Sequence, residues 1–489
     1  MQETKLYQFL STLSPVEMNR LSRYLESPYF NRNDKLLKIY YSLEAHVRTE
    51  NGSKLSKTSI WDPIYPGEQY HDEKFRKHCS QLMELVESWL AQETYEDNPL
   101  HKAKYLLEAI HERQLEKLYS GAAGAAKTQI SRQMLKPAAY YYYIYELESM
   151  LYKLERIEEN RIGKKNIEKI NLESIVSNLD YFYIAEKLKY YCTLLSWSKI
   201  ITIRDKSLFI EDIIRIAQKE EVISIPPIAV YLRIYFTYTD SNPEHYYELK
   251  KLINRYIGIF PKEEAKNIFD SAINYAIQRI NNKEQKFISE LFELYKTALE
   301  NEILLVNNEI SQWTFKNIVS NALMLKEYEW ADDFINKYSS RLNEKIRDNA
   351  IKFNMANLYF SQGDYKNVLK TLQEVQYDEV FYGLNSRSFI VRAYYELDEI
   401  SALNSFLDSF NVYLSRNKDI SKVQKTIYHD LVKFTKKLIG SNNKSKPELT
   451  KLKTEIESSS PVGKSWLLEK VDELLITART ETTRKKSKK

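Results

Sequence analysis

Turn-forming residues are nearly missing from this chain: ten glycines and twelve prolines are spread over 489 residues. Turns and hairpins draw heavily on both, whereas helix interiors reject them. With so few break points, the chain must be laid out as long helices joined by short turns. Leu, Ile, Lys, Glu, Asn and Tyr dominate, a mixture that suits helices better than sheets. The 38 tyrosines fit half-buried helical positions, where the ring is covered and the hydroxyl stays near water. Drift in an AT-rich genome gives the same bias. The predicted fold class is all-α, built of stacked antiparallel helix hairpins behind an N-terminal helical domain.

The charge balance, 72 basic against 67 acidic residues for a net +5, describes a mixed surface without the footprint of a nucleic-acid binder. Cys79 and Cys192 make neither a disulfide framework nor a zinc site, and both sit on helical stripes as small apolar residues, which fits a reducing compartment. The opening MQETKLYQFLSTLSP lacks the basic start and long apolar core of a secretory signal. No run approaches the roughly 18 apolar residues of a membrane span. A cytoplasmic protein without membrane partners is expected.

The first segment has clear helix grammar. Ser14-Pro15-Val16-Glu17 is a capping box with proline at the first helical position, and Val16, Leu21, Tyr24 and Leu25 follow at helical spacing. Ser27-Pro28 stops that helix, and Asn33-Asp34 caps the next, with Leu36, Tyr40, Leu43 and Val47 as its stripe. Residues 49–70 are non-periodic, with turn signals at Asn51-Gly52 and Pro66-Gly67. Ile60, Trp61, Ile64 and Tyr65 are expected to pin this loop to the helices. A long helix follows, with Phe75, Cys79, Leu82, Val86 and Leu90 on one face. The break at Tyr95–Pro99 closes an N-terminal helical domain, 1–95.

From 100 to 300 the pattern is a helical hairpin array. Pro137 opens a helix carrying Tyr140, Tyr141, Tyr142 and Tyr143, whose rings point in every direction, so some must meet neighbouring helices. Pro226-Pro227, Asn242-Pro243 and Pro261 mark helix starts. Gly121-Ala-Ala-Gly124 reads as a turn or a close packing contact.

Residues 312–416 divide into three helix–turn–helix units, starting at Gln312, Asn349 and Leu384. Their spacing is near the ~34-residue period of tetratricopeptide repeats. The second unit carries Ala356, Tyr359, Gly363, Tyr365, Val368 and Leu372 in that family's order of small, aromatic, glycine, aromatic, small and large residues. The first offers Val319, Ala322, Tyr328, Ala331 and Ile335; the third offers Val391, Tyr394, Ile400, Leu403 and Leu407. The segment thus resembles degenerate tetratricopeptide repeats, which implies a solenoid. Val319, Val368, Val391 and Leu403 are bulkier than that family prefers. Capping helices are expected over 417–478 and a disordered basic tail over 479–489.

A wider resemblance is carried by Ser27-Pro28-Tyr29-Phe30-Asn31, by Tyr70 with Phe75-Arg76 and Ser80-Gln81-Leu82, by Leu179-Asp180-Tyr181-Phe182-Tyr183 with Lys187-Leu188, and by Trp466-Leu467-Leu468-Glu469-Lys470. In this order along the chain they resemble a family of all-helical proteins common in Bacteroidota. No activity comes with that family, so the resemblance implies a fold and no chemistry.

The search for catalytic groups returns helix surface. His71 and His78, seven residues apart, lie roughly 10 Å apart along a helix axis, too far to share one metal. Gly463-Lys464-Ser465 has the end of a phosphate loop but Ser458 where that loop needs a glycine, and Pro461 points to a helix start. Adjacent carboxylates such as Glu211-Asp212, Glu220-Glu221 and Asp332-Asp333 diverge around a helix and form no acid–base pair. No enzyme, metal or cofactor is expected.

The expected function is a non-catalytic scaffold for protein–protein interaction, because hairpin arrays present extended concave surfaces. In the repeat register, Lys316, Asn317, Phe353, Asn354, Asn357, Ser388, Arg392 and Tyr395 line the inner face and would meet a protein or peptide partner. The alternative is a groove filled by the chain's own helices. Carboxylate-clamp specificity is not expected: Lys316 and Asn354 fit it, while Ser320, Asn385 and Phe389 depart. The competing function is a DNA-binding regulator whose recognition helix starts at Phe75-Arg76-Lys77-His78. No β-wing follows that helix, and its basic residues are balanced by acidic ones.

Overall fold

The computed structural model describes residues 1–49, 55–162, 171–198, 208–373, 380–441 and 445–486. These form twenty-four α-helices and a single two-stranded hairpin. The fold is all-α. Among the described residues no helix is long and apolar enough to cross a membrane. The chain divides into two compact units, Met1–Tyr191 with Asp205–Ile228, and Cys192–Arg204 with Ala229–Lys489.

The first unit begins with α1 (Lys5–Leu10), α2 (Pro15–Glu26), α3 (Asp34–Arg48), α4 (Lys57–Trp61) and α5 (Asp72–Glu96). The capping box at α2 forms in full: the Glu17 carboxylate accepts from the Ser14 N–H at 2.7 Å, and Ser14 Oγ accepts from the Glu17 N–H at 3.3 Å. Leu21 and Leu25 are buried as expected, but Val16 is 65% exposed and Met18 takes its place. Five helical residues separate Val16 from Leu21, a rotation that leaves Val16 about 140° off the buried face. On α5, Leu90 is exposed and Trp89 is buried instead. Fourteen residues from Phe75 return closer to its face than fifteen do. Ile60, Trp61, Ile64 and Tyr65 are all buried, and the loop they pin contains α4. Asn51-Gly52 lies outside the described residues; Gly67, in the other turn signal, has a φ of +77°.

The unit continues with α6 (Pro99–Glu112), α7 (Glu116–Arg132), α8 (Ala138–Ile162), most of α9 (Leu172–Ser198), α10 (Ile210–Ala217) and α11 (Glu220–Ile223). A second apolar cluster, with Leu107, Ile110, Leu147 and Leu151, lies among α6, α7 and α8. The tyrosine run does meet neighbouring helices. Tyr141 is buried edge-on to Tyr181, Tyr142 lies 5.1 Å from Phe182, and the Tyr143 hydroxyl accepts from Asn98 Nδ2 at 3.2 Å. Gly121 and Gly124 contradict expectation: both lie inside α7, and a Cβ on either would meet nothing within 4 Å. The segment is neither a turn nor a tight contact. Ala122, Ala123, Ala125 and Ala126, strong helix formers, carry the backbone through.

The second unit takes in most of α12 (Pro226–Thr239), then α13 (Glu244–Tyr256), α14 (Lys262–Asn281), α15 (Lys286–Glu300), α16 (Gln312–Met324), α17 (Tyr328–Tyr338), α18 (Glu344–Gln362), α19 (Tyr365–Gln373), α20 (Val380–Glu396), α21 (Ile400–Arg416), α22 (Lys422–Ile439), α23 (Lys446–Ser458) and α24 (Lys464–Lys486). The paired helices α14/α15, α16/α17, α18/α19 and α20/α21 pack on one another. The leading helices also pack in sequence, α16 on α18, α18 on α20 and α20 on α22. The second and third pairs start at Glu344 and Val380, a little ahead of the sequence reading. Gly363 ends α18 at φ +78°, with its N–H and that of Asp364 donating to the carbonyls of Phe360 and Tyr359. This is the left-handed ending that favours glycine. Ala322, Ala331 and Ala356 are fully buried, and so are the bulkier Val319, Val368, Val391 and Leu403.

Between α15 and α16 stands the hairpin, β1 (Leu305–Val306) with β2 (Glu309–Ile310). Its turn residues Asn307 and Asn308 both have positive φ, the requirement of a tight hairpin turn that asparagine tolerates. At the far end Trp466, Leu467 and Val471 of α24 are buried with Leu431, Phe434, Leu452 and Ile456. The helical backbone of α24 runs to Lys486; the side chains from 478 onward lie outside the described residues.

Candidate interaction surface

The eight residues expected on an inner face fall into distinct environments. Asn317 is exposed, and Lys316 is half-buried, so that desolvation lowers the pKa of its ammonium group. Asn357 is half-buried, with Nδ2 3.5 Å from Ser320 Oγ on the preceding leading helix. Phe353 is buried against Tyr382 and Phe389. Asn354 and Ser388 are also buried; Asn354 Nδ2 donates to the Ala350 carbonyl at 2.7 Å, while Asn354 Oδ1 and Ser388 Oγ have no partner among the described residues.

Arg392 and Tyr395 meet the start of α24. The Arg392 guanidinium lies 4.5 Å and 4.6 Å from the ring centroids of Phe360 and Phe389, and its Nε donates to the Ser388 carbonyl. Burial pushes its pKa down to about 10. A Cβ on Gly463 would stand 3.6 Å from Arg392 Cδ, and Tyr395 lies edge-on to Trp466 at 5.3 Å. Trp466 Nε1 donates to the Glu396 carboxylate at 2.5 Å, and Lys470 pairs with the same carboxylate at 3.0 Å. The end of this row is therefore occupied by a segment about seventy residues further along the chain.

A groove of about 690 Å³ lies elsewhere, between α15 with its hairpin and α17. Its floor includes Leu299 and the ladder Trp330, Phe334 and Tyr338, one ring per turn of α17. Trp330 and Phe334 stack at 5.4 Å with planes 9° apart; Phe334 and Tyr338 stack at 5.0 Å. Glu300 stands on the α15 side, Lys337 and Arg341 on the α17 side. None of these three side chains has an ion pair or side-chain hydrogen bond among the described residues. The Lys337 ammonium sits 5.4 Å from the centroid of the adjacent Tyr338 ring. The i, i+4, i+8 spacing of the rings was visible in the sequence, but that spacing marks core as often as surface.

The other sequence candidates fill structural roles. His71 Nδ1 accepts from the Lys74 N–H at the start of α5, and His78 shares a hydrogen bond with the Tyr65 hydroxyl. Phe75 is buried, Arg76 pairs with Asp72, Lys74 pairs with Glu68, and Lys77 is exposed. Among the described residues no three His, Cys, Asp or Glu side chains are grouped to hold a metal ion. Lys464 Nζ donates to the carbonyls of Glu457 and Ser459, closing the end of α23. Burial pushes the Cys79 thiol up to about 11 and the Cys192 thiol higher still. Comparison of the chain with protein-family models, curated proteins and solved structures finds no match.

Proposed function

We propose that this chain is a non-catalytic helical-repeat scaffold, a degenerate tetratricopeptide-like array that holds a protein or peptide partner. The groove between α15 and α17 is its docking site. The observation that carries this reading is an aromatic floor rimmed by charges of both signs. Glu300 faces the groove from the α15 side and Asp333, Lys337 and Arg341 from the α17 side, with no ion partner among the described residues. Charges of both signs around an apolar floor complement a segment that carries both signs around a large apolar side chain. The two free thiols, Cys79 and Cys192, suit a cytoplasmic setting, where thiols stay reduced.

Selection of a random displayed-peptide library on the full-length protein tests this. The expected winners carry an apolar anchor between an acidic and a basic residue. They should lose at least about tenfold in affinity to Trp330→Ala, and Lys337→Glu/Arg341→Glu should redirect the charge preference. Failure to enrich any sequence, or winners indifferent to both variants, would overturn the reading.

A further inference from the structure

The outward face of α9 is apolar where a solvated helix face should be charged. Leu172, Val176, Leu179, Tyr183 and Tyr190 are all exposed, Tyr190 to 66%. The opposite face buries Ile184, Ala185 and Leu188, so the outward stripe lies outside the unit's own core.

The spacing of this stripe is one that a second helix can follow. With Glu186 included, its positions advance by four, three, four, three and four residues, so that two alternating positions each recur every seven residues. Positions that recur every seven residues are the ones along which two helices pair. Val176, Tyr183 and Tyr190 occupy one seam position of the heptad, and Leu172, Leu179 and Glu186 the other.

We infer that α9 is a self-association seam, pairing antiparallel with α9 of a second copy of this chain about a two-fold axis. The charges fix both the partner and the direction. Asp180 and Lys187 flank the seam seven residues apart, and neither has an ion pair or hydrogen bond among the described residues. They are one full heptad apart on the same side, too far along the axis to pair with each other. In an antiparallel pair, Asp180 of each copy meets Lys187 of the other, so one two-fold operation satisfies four charges. The same register sets Tyr190 against Leu179 of the other copy. It sets Tyr183 against the stem of Glu186, whose carboxylate is already held by Lys189 on its own helix. The tyrosine hydroxyls reach the rim, where water solvates them. This inference does not rest on the groove between α15 and α17.

Sedimentation velocity of the full-length protein, from about 1 to 100 µM, tests it. The expected result is a concentration-dependent dimer. Tyr183→Glu/Tyr190→Glu should abolish the dimer with unchanged far-ultraviolet circular dichroism. Asp180→Lys alone, or Lys187→Asp alone, should weaken it by about tenfold or more by placing like charges opposite each other. The double swap Asp180→Lys/Lys187→Asp should restore it, a rescue that a merely structural role on α9 would not produce. A wild type that stays monomeric across the range, a glutamate variant that dimerises unchanged, or a double swap no better than the single variants would each overturn the inference.

Discussion

Gly363 and Gly121 carry opposite instructions although both have empty space around them. A Cβ on either meets nothing within 4 Å, so the backbone alone decides the effect of substitution. Gly363 is held at φ +78°, where an L side chain is strained, and Gly363→Ala should cost about 1–2 kcal/mol. Gly121 lies inside α7 at helical dihedrals, and Gly121→Ala should stabilise by about 0.5–1 kcal/mol. Urea denaturation of the two variants checks the pair of signs; a lowered midpoint for Gly121→Ala would remove the helical account of α7. Asp72 supplies a titration at the same scale. The Tyr70 hydroxyl donates to its carboxylate at 2.6 Å and Lys57 at 2.9 Å, and these bonds bring its pKa down to about 2. A depressed carboxylate pKa contributes stability above the ordinary carboxylate range and loses it as pH falls through the folded value. Carboxyl-resolved NMR titration should find this low midpoint, and Tyr70→Phe should move it upward.

Helices were legible wherever the signal was local. The capping box at Ser14, the stop at Ser27 and the start at Asn33 need only their neighbours in sequence, and each stands where the residues place it. Period reading misplaced Val16 because a step of five residues leaves the face, and Leu90 because a stripe drifts around its helix over several turns. The fully buried Ala356 is the local reading with the sharpest consequence. Ala356→Leu should overpack the contacts of α18 and cost about 1–3 kcal/mol, read as a lower thermal midpoint. An unchanged midpoint would mean the helices part freely there. The candidate surface was less legible, because covering is not a local property. Arg392 and Tyr395 belong to the same expected row as half-buried Asn357, yet Gly463 and Trp466 lie against them. No spacing rule links those segments. The groove over Trp330, Phe334 and Tyr338 was hidden differently, since a ring at each turn is also what a core requires. Docking of α24 has its own test. Leu467 and Val471 are fully buried, and removing each is worth about 1.5–3 kcal/mol. Against a total of order 5–15 kcal/mol for a folded domain, deletion from Pro461 onward should leave the second unit prone to unfold or aggregate, seen as a lower melting midpoint and light scattering.

Taken as a whole, the molecule's charge is concentrated at one end of its sequence. Residues 479–489 contain six basic side chains, Arg479, Arg484, Lys485, Lys486, Lys488 and Lys489, and one acidic side chain, Glu481. Subtracting them from 72 and 67 leaves 66 of each sign, so the remaining 478 residues are neutral and the tail carries the entire net +5. After Ala478 the segment offers no apolar residue with which to bury surface. Two effects that usually travel together should therefore separate. Deleting 479–489 should leave the thermal midpoint unchanged, because the deleted residues bring no apolar surface to the core, and should lower helix content only by the turns of α24 beyond Ala478. It should also bring the isoelectric point down from about 8.6 toward neutrality. A neutral surface promotes association, since net charge keeps molecules apart in solution. The truncated chain should then precipitate more readily near pH 7 at low salt and regain solubility as pH moves away from neutrality. Solubility profiles beside calorimetric melts of the two chains decide the matter. A lower melting midpoint for the truncated chain would place the tail among the stabilising elements, and equal solubility at neutral pH would show that the balanced charges of the remaining surface suffice.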